Sequence, residues 1–162
     1  MDKQSILREH FGYQTFREGQ EPLIDAILAG RDVFGVMPTG GGKSLCYQIP
    51  ALLLEGLTLV VSPLISLMND QVAALKEAGI PAAFLNSSLT AAQQREVLRR
   101  AELGAYKLIY VTPERLLTDS FLEFAAGHRD TVPTGQRNRK FRMVATPVRP
   151  PGAILLGTRK DG

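Results

Sequence analysis

Short apolar runs alternate with amphipathic stretches along the first 126 residues. Between positions 18 and 29, Leu23, Ile24, Ile27 and Leu28 recur on one helical face, and Gly30 supplies a stop. Pro22 falls in the first turn of that helix, where a missing N–H is tolerated. Residues 33–37 (VFGVM) read as a buried strand running into a glycine loop. Residues 43–54 read as a helix that Pro50 should kink or divide, and residues 57–61 (LTLVV) as a second buried strand. Ser62 followed by Pro63 gives a cap and a proline at the first helical position, predicting a helix to about residue 78 that Gly79 closes.

The cycle then repeats. Residues 80–85 form a short third strand. Residues 90–103 form an amphipathic helix with Val97, Leu98 and Ala101 inward and Arg95, Glu96, Arg99 and Arg100 outward. Residues 108–111 (LIYV) are a fourth strand, and Thr112 with Pro113 opens another capped helix to about residue 125. Continuous apolar strands separated by helices predict an α/β fold, a mostly parallel sheet with helices on both faces. Ligands of such sheets sit at the carboxyl ends of strands, where this chain places its Gly, Ser, Thr and Pro.

From residue 127 the rhythm stops, and so does the charge balance. Residues 1–126 hold 11 Lys/Arg and 14 Asp/Glu, whereas residues 127–162 hold 8 Lys/Arg and 2 Asp. The net charge of +3 therefore hides a mildly acidic segment followed by a basic one. The expectation is an irregular, poorly ordered basic tail over 127–162, with 143–145 and 153–156 too short to be convincing strands. A tail that binds nucleic acid through Arg137, Arg139, Lys140 and Arg142 is the alternative. The length of 162 residues suits one domain. A single cysteine, Cys46, and two separated histidines, His10 and His128, argue against a disulfide or a structural zinc site. No run reaches the 18 or so apolar residues of a membrane span, and the polar start (MDKQSILREH) shows no signal peptide. A reducing cytoplasm without membrane contact is the default.

The sharpest chemical signal is Met37-Pro38-Thr39-Gly40-Gly41-Gly42-Lys43-Ser44, set between a predicted strand and a predicted helix. Glycines let successive backbone N–H groups point at phosphate oxygens, and the helix N-terminus adds a favourable dipole. The Lys43 ammonium suits the β- and γ-phosphates, and the Ser44 hydroxyl suits Mg²⁺. Thr39, Gly40, Gly41, Gly42, Lys43 and Ser44 are thus candidate ligands of a nucleotide such as ATP. The strict phosphate-loop pattern wants Gly at position 37, where this chain has Met. The bland alternative, a flexible glycine turn with a chance lysine, leaves the flanking strand and helix unexplained.

With the loop placed, four blocks in order resemble the RecQ family of superfamily 2 DNA helicases: FGYQTFREGQ (11–20), GVMPTGGGKSLCYQIPALLL, VVSPLISLMNDQV (60–72) and YVTPERL (110–116). That family carries Met at the first loop position. The resemblance implies a partial RecA-like phosphate-loop domain in an ATP-driven, 3′→5′ DNA-unwinding enzyme of repair and recombination. It gives Lys43 the catalytic role, Gln20 the reading of adenine, and Tyr13 and Arg17 the stacking on the base. It assigns the DNA strand to the loops bearing Ser62, Asn69, Thr112 and Arg115. Plainer readings stand beside these. Phe16 is core, Gln20 alone would pass for a solvated helix residue, and Ser62 and Thr112 can simply cap helices. Arg115 can pair with Glu114 or another carboxylate, and Cys46 is a small buried apolar residue.

The family's Asp-Glu-Ala-His motif should follow the YVTPERL helix, and the likeness ends at about Ala126, just before it. Residues 127–162 offer only Asp130 and Asp161. Two readings follow: a helicase gene with an interrupted or misassembled frame, or a short protein that binds nucleotide or DNA without hydrolysis. Either way ATP would be bound weakly and not turned over, and the absent strand would leave an open apolar sheet edge.

Overall fold

The structure is a computed structural model and describes residues 1–36, 42–130, 141–145 and 153–158. Its elements in chain order are α1 (Lys3–Phe11), α2 (Gln20–Leu28), β1 (Val33–Val36), α3 (Leu45–Leu53), β2 (Leu57–Val61), α4 (Ile65–Glu77), β3 (Ala82–Leu85), α5 (Ala91–Glu102) and β4 (Leu108–Val111). A 3-10 turn (Pro113–Leu117), α6 (Asp119–Asp130), β5 (Phe141–Ala145) and β6 (Ala153–Thr158) follow.

β2 and β3 both pair with β4 in parallel, so that Val61 and Leu85 flank Val111 at the carboxyl ends. Strand periodicity sends alternate side chains to opposite faces. Val60, Ala82, Leu108 and Tyr110 join Ile27, Cys46, Met68, Val72 and Leu75 on the side of α2, α3 and α4. Leu57, Leu59, Ala83, Leu85, Ile109 and Val111 meet Leu98, Ala101, Phe121 and Phe124 on the side of α5 and α6. Strands of only four or five residues, buried on both faces, explain the unbroken apolar runs. The predicted α/β architecture with helices on both faces is the observed one.

Several boundaries differ from expectation. α1 lies where no element was predicted: Asp2 Oδ1 accepts from Ser5 N at 2.8 Å, left-handed Gly12 ends the helix, and Ile6 and Leu7 are buried against α2 and α3. α4 begins at Ile65 rather than beside Ser62. The Ser62 N–H still bonds to Val111 C=O at 3.0 Å, so that residue prolongs the strand, and its hydroxyl accepts from Leu64 N instead of capping. Thr112 leads into a 3-10 turn whose cap bond its side chain does not make, and extended Thr118 separates that turn from α6. Pro50 does not divide α3, which continues to Leu53.

The largest correction concerns the basic segment. The sheet has six strands in the order β1-β6-β5-β2-β4-β3. β5 runs parallel to β2, from Leu57 opposite Phe141 to Val61 opposite Ala145, and β6 runs antiparallel to both β5 and β1. The tail is therefore not irregular throughout, and β2 has no open edge. Val144, 0% exposed, packs into the α2–α3–α4 core, which is the physical reason a short apolar stretch inside a basic segment becomes a strand.

Candidate functional site

β1 leads into residues 37–41, so Thr39, Gly40 and Gly41 lie outside the described residues. The chain re-enters at Gly42, with φ +73, immediately before α3. Gln20, 1% exposed at the start of α2, donates from Nε2 to Gly42 C=O at 3.0 Å and accepts at Oε1 from Arg17 N at 2.8 Å. One amide thus joins the loop before α2 to the loop before α3. The φ of +73 favours glycine at position 42, and a Cβ there would stand 2.5 Å from Gln20 Nε2, so the Gln20 amide would have to shift. The Gln20 amide therefore meets Gly42 and Arg17, both of which line the cleft described next.

Tyr13, Arg17, Gly42, Lys43 and Ser44 line one cleft of about 300 Å³. Gly12 turns the chain out of α1 and presents Tyr13 half-exposed, while Phe16 packs against the Ile6–Leu7–Ile24 core as its plainer reading held. Two cationic side chains, an aromatic ring, a hydroxyl and a helix N-terminus face this space, and among the described residues no carboxylate lines it. That donor set fits a purine nucleotide with its phosphates, and the Ser44 oxygen fits a hard cation such as Mg²⁺.

Behind Ser44 lies a polar network inside the apolar core. Gln71 Nε2 donates to Ser44 Oγ at 3.4 Å, while Gln71 Oε1 accepts from Tyr47 Oη at 3.0 Å, Tyr110 Oη at 2.9 Å and Gln48 Nε2 at 3.3 Å. Gln48 also donates to Tyr110 Oη at 3.0 Å, and the two tyrosine hydroxyls are 3.1 Å apart. Burial raises the Tyr47 phenol well above its ordinary value and raises Tyr110 too, so both stay neutral donors. None of these four residues was singled out from sequence. The available signal was a glutamine inside the apolar run LCYQIPALL and another beside Val72 on α4. Cys46 is fully buried and its thiol is pushed up to about 11 by desolvation, as suits a packing residue rather than a nucleophile.

The candidate DNA contacts gather at the carboxyl ends of β2 and β4. Ser62 and Thr112 leave neighbouring strands and are 4% and 2% exposed. Asn69, on α4, accepts at Oδ1 from Asn86 Nδ2 at 3.2 Å. Arg115 donates from Nη1 to Gln94 Oε1 at 2.6 Å, a neutral partner where a carboxylate had been considered. Gln94 was missed because it occupies a buried position of α5 in a run of polar residues. Arg137, Arg139 and Lys140 lie outside the described residues.

Residues 17–143 match the family model described as DEAD/DEAH box helicase. The chain belongs to the DEAD/DEAH box helicase family. The match runs beyond Ala126 into β5. This helicase-family chain is 58% identical over 119 residues to "ATP-dependent DNA helicase RecQ" of Haemophilus influenzae, covering 74% of the chain and 19% of that protein. It is 53% identical over 125 residues to the protein of the same name in Bacillus subtilis, covering 76% of the chain and 21% of that protein. It thus spans about a fifth of the length of these relatives. Among solved structures, a hypothetical ATP-dependent RNA helicase from Sulfolobus tokodaii superposes with a TM-score of 0.58 at 26% identity, over 77% of this chain and 36% of that one. In the helicase-family chain no described helix is long and apolar enough to cross a membrane.

Proposed function

We propose that the chain carries the nucleotide-binding part of a RecQ-type, ATP-dependent DNA helicase motor. The observation that carries this is the cleft in which Tyr13, Arg17, Gly42, Lys43 and Ser44 converge at the start of α3. Tyr13 and Arg17 offer flat faces to adenine. The Lys43 ammonium meets the β- and γ-phosphates, with Thr39, Gly40 and Gly41 supplying backbone N–H groups beside Gly42. Ser44 would hold Mg²⁺, which when bound spreads positive charge across those phosphates. Gln20 touches adenine only with an amide already engaged to Gly42 and Arg17, so its contribution to base selection works together with loop geometry.

Ser62, Asn69, Thr112 and Arg115 contact the phosphates of a DNA strand crossing the ends of β2 and β4, near a single-strand/duplex junction. The four helicase-like blocks end by residue 116 and the basic segment begins at 127, while β5 and β6 from that segment complete the same sheet.

ATP is bound rather than turned over by the 162 residues. Activating water takes a carboxylate base, worth about 10²–10⁴-fold, and an arginine finger adds roughly 10³–10⁵-fold. After residue 126 the sequence holds only Asp130 and Asp161 as acids. The test is titration with a fluorescent ATP analogue. Lys43→Ala should weaken binding by about 10- to 100-fold, the range of a charge-assisted hydrogen bond, without phosphate release above background from either protein. Equal affinity in both proteins would remove the loop from the site. Sustained, DNA-stimulated release would show that a carboxylate serves as base after all.

A further inference from the structure

Gln71 lies outside the cleft, on α4, and its amide is held at both ends. Three donors converge on Oε1, from Tyr47, Tyr110 and Gln48, all of them side chains at most 5% exposed. A carbonyl oxygen has two lone pairs, so three surrounding donors fix its direction closely. The amide is planar, and fixing its oxygen aims Nε2 at the Ser44 hydroxyl, 3.4 Å away. Ser44 accepts there with one lone pair and keeps the other, with its own proton, for the cleft. An unheld serine hydroxyl would have to be ordered when ligand binds, which weakens binding. The same amide reaches Tyr110 on β4, the strand that ends one residue before Thr112.

We propose that Gln71 is a positioning residue for nucleotide binding, presetting the Ser44 hydroxyl toward the metal side of the cleft through its contacts with Tyr47, Gln48 and Tyr110. The proposal rests on the nucleotide reading above. It separates from a packing role because packing would affect every ligand state, whereas orientation of Ser44 matters only when the cation is present.

The test compares affinity of the 162-residue chain for a fluorescent ATP analogue in Mg²⁺ and in EDTA. Gln71→Met keeps the volume and removes the hydrogen bonds. It should lower the Mg²⁺-to-EDTA affinity ratio by about five- to tenfold, the worth of one hydrogen bond, and leave the EDTA affinity unchanged. Ser44→Ala should lower the ratio at least as far, and the double variant no further than Ser44→Ala alone. If Gln71→Met does not fold, Tyr110→Phe carries the same comparison, with a smaller drop in the same ratio. Equal losses in Mg²⁺ and EDTA, or effects of Gln71→Met and Ser44→Ala that multiply, overturn the proposal. A wild-type chain that binds the analogue in neither condition overturns the nucleotide reading itself, and this inference with it.

Discussion

The two ends of the sheet are built differently. At one end β2, β4 and β3 pair in parallel and are packed on both faces by α4, α5 and α6. Each strand there is joined to the next by a helix, the right arrangement for local contacts to reinforce one another. At the other end, among the described residues, β1 hydrogen-bonds to β6 alone in the sheet, and β6 reaches β2 through β5. The strand that leads toward Gly42 and the cleft therefore meets the rest of the sheet, among the described residues, through residues that carry none of the four helicase-like blocks. A motif can be intact in sequence while its support comes from elsewhere in the chain.

The harshest way to break that comparison is to attack β5. Val144 is fully buried and Met143, its neighbour on the same strand, is 44% exposed. Val144→Asp should destabilise by about 3–5 kcal/mol, as an unpaired buried charge does. Met143→Asp should cost about 1 kcal/mol or less, as surface changes do. Urea unfolding followed by circular dichroism measures both. Indistinguishable midpoints would mean that β5 does not complete the sheet and that the end bearing β1 stands without it.

At the cleft the comparison sharpens to one glycine. Gly42→Ala puts a Cβ 2.5 Å from Gln20 Nε2 at a backbone φ of +73. The expected loss is about 1–3 kcal/mol from the backbone conformation alone, with weaker nucleotide binding. Adding Gln20→Ala removes the steric part and leaves the conformational part, so the double variant should recover some of the stability. No recovery would show that the Gln20 amide and Gly42 do not meet as described.

Much of this was legible in the sequence. β2 and β4 fall where LTLVV and LIYV predicted them, because strands buried on both faces leave an unbroken apolar signature. Lys43, Ser44, Tyr13 and Arg17, singled out from two separate blocks, share one cleft. What was not legible has physical causes. α1 is a short helix of nine residues whose mean composition is polar, and only Asp2, Gly12 and the buried pair Ile6 and Leu7 betray it. The glutamine–tyrosine network joins α3, α4 and β4 across 23 to 63 positions of chain, a distance at which periodicity carries no information. β5 and β6 are strands because neighbours accept them, not because their own pattern demands it.

The smallest expected effect separates the hydroxyls of two buried threonines. Thr58, inside β2, and Thr112, at the end of β4, are each 2% exposed, and neither Oγ1 has a hydrogen-bond partner among the described residues. An unpaired buried hydroxyl is unfavourable, so the isosteric changes Thr58→Val and Thr112→Val should each stabilise by about 1 kcal/mol. Their structural surroundings then part. Thr58 is enclosed in the sheet, whereas Thr112 stands beside Ser62 where the DNA strand is proposed to cross. Thr112 Oγ1 is itself buried, so a phosphate supplies the missing partner where DNA binding opens the start of the 3-10 turn. Thr112→Val should therefore weaken binding of a labelled single-stranded oligonucleotide by about fivefold, one ordinary hydrogen bond, while Thr58→Val leaves it unchanged. Fluorescence anisotropy at fixed salt reads the difference. Equal DNA affinity in the two variants would take Thr112 out of the interface and leave its hydroxyl as a burden of the fold alone.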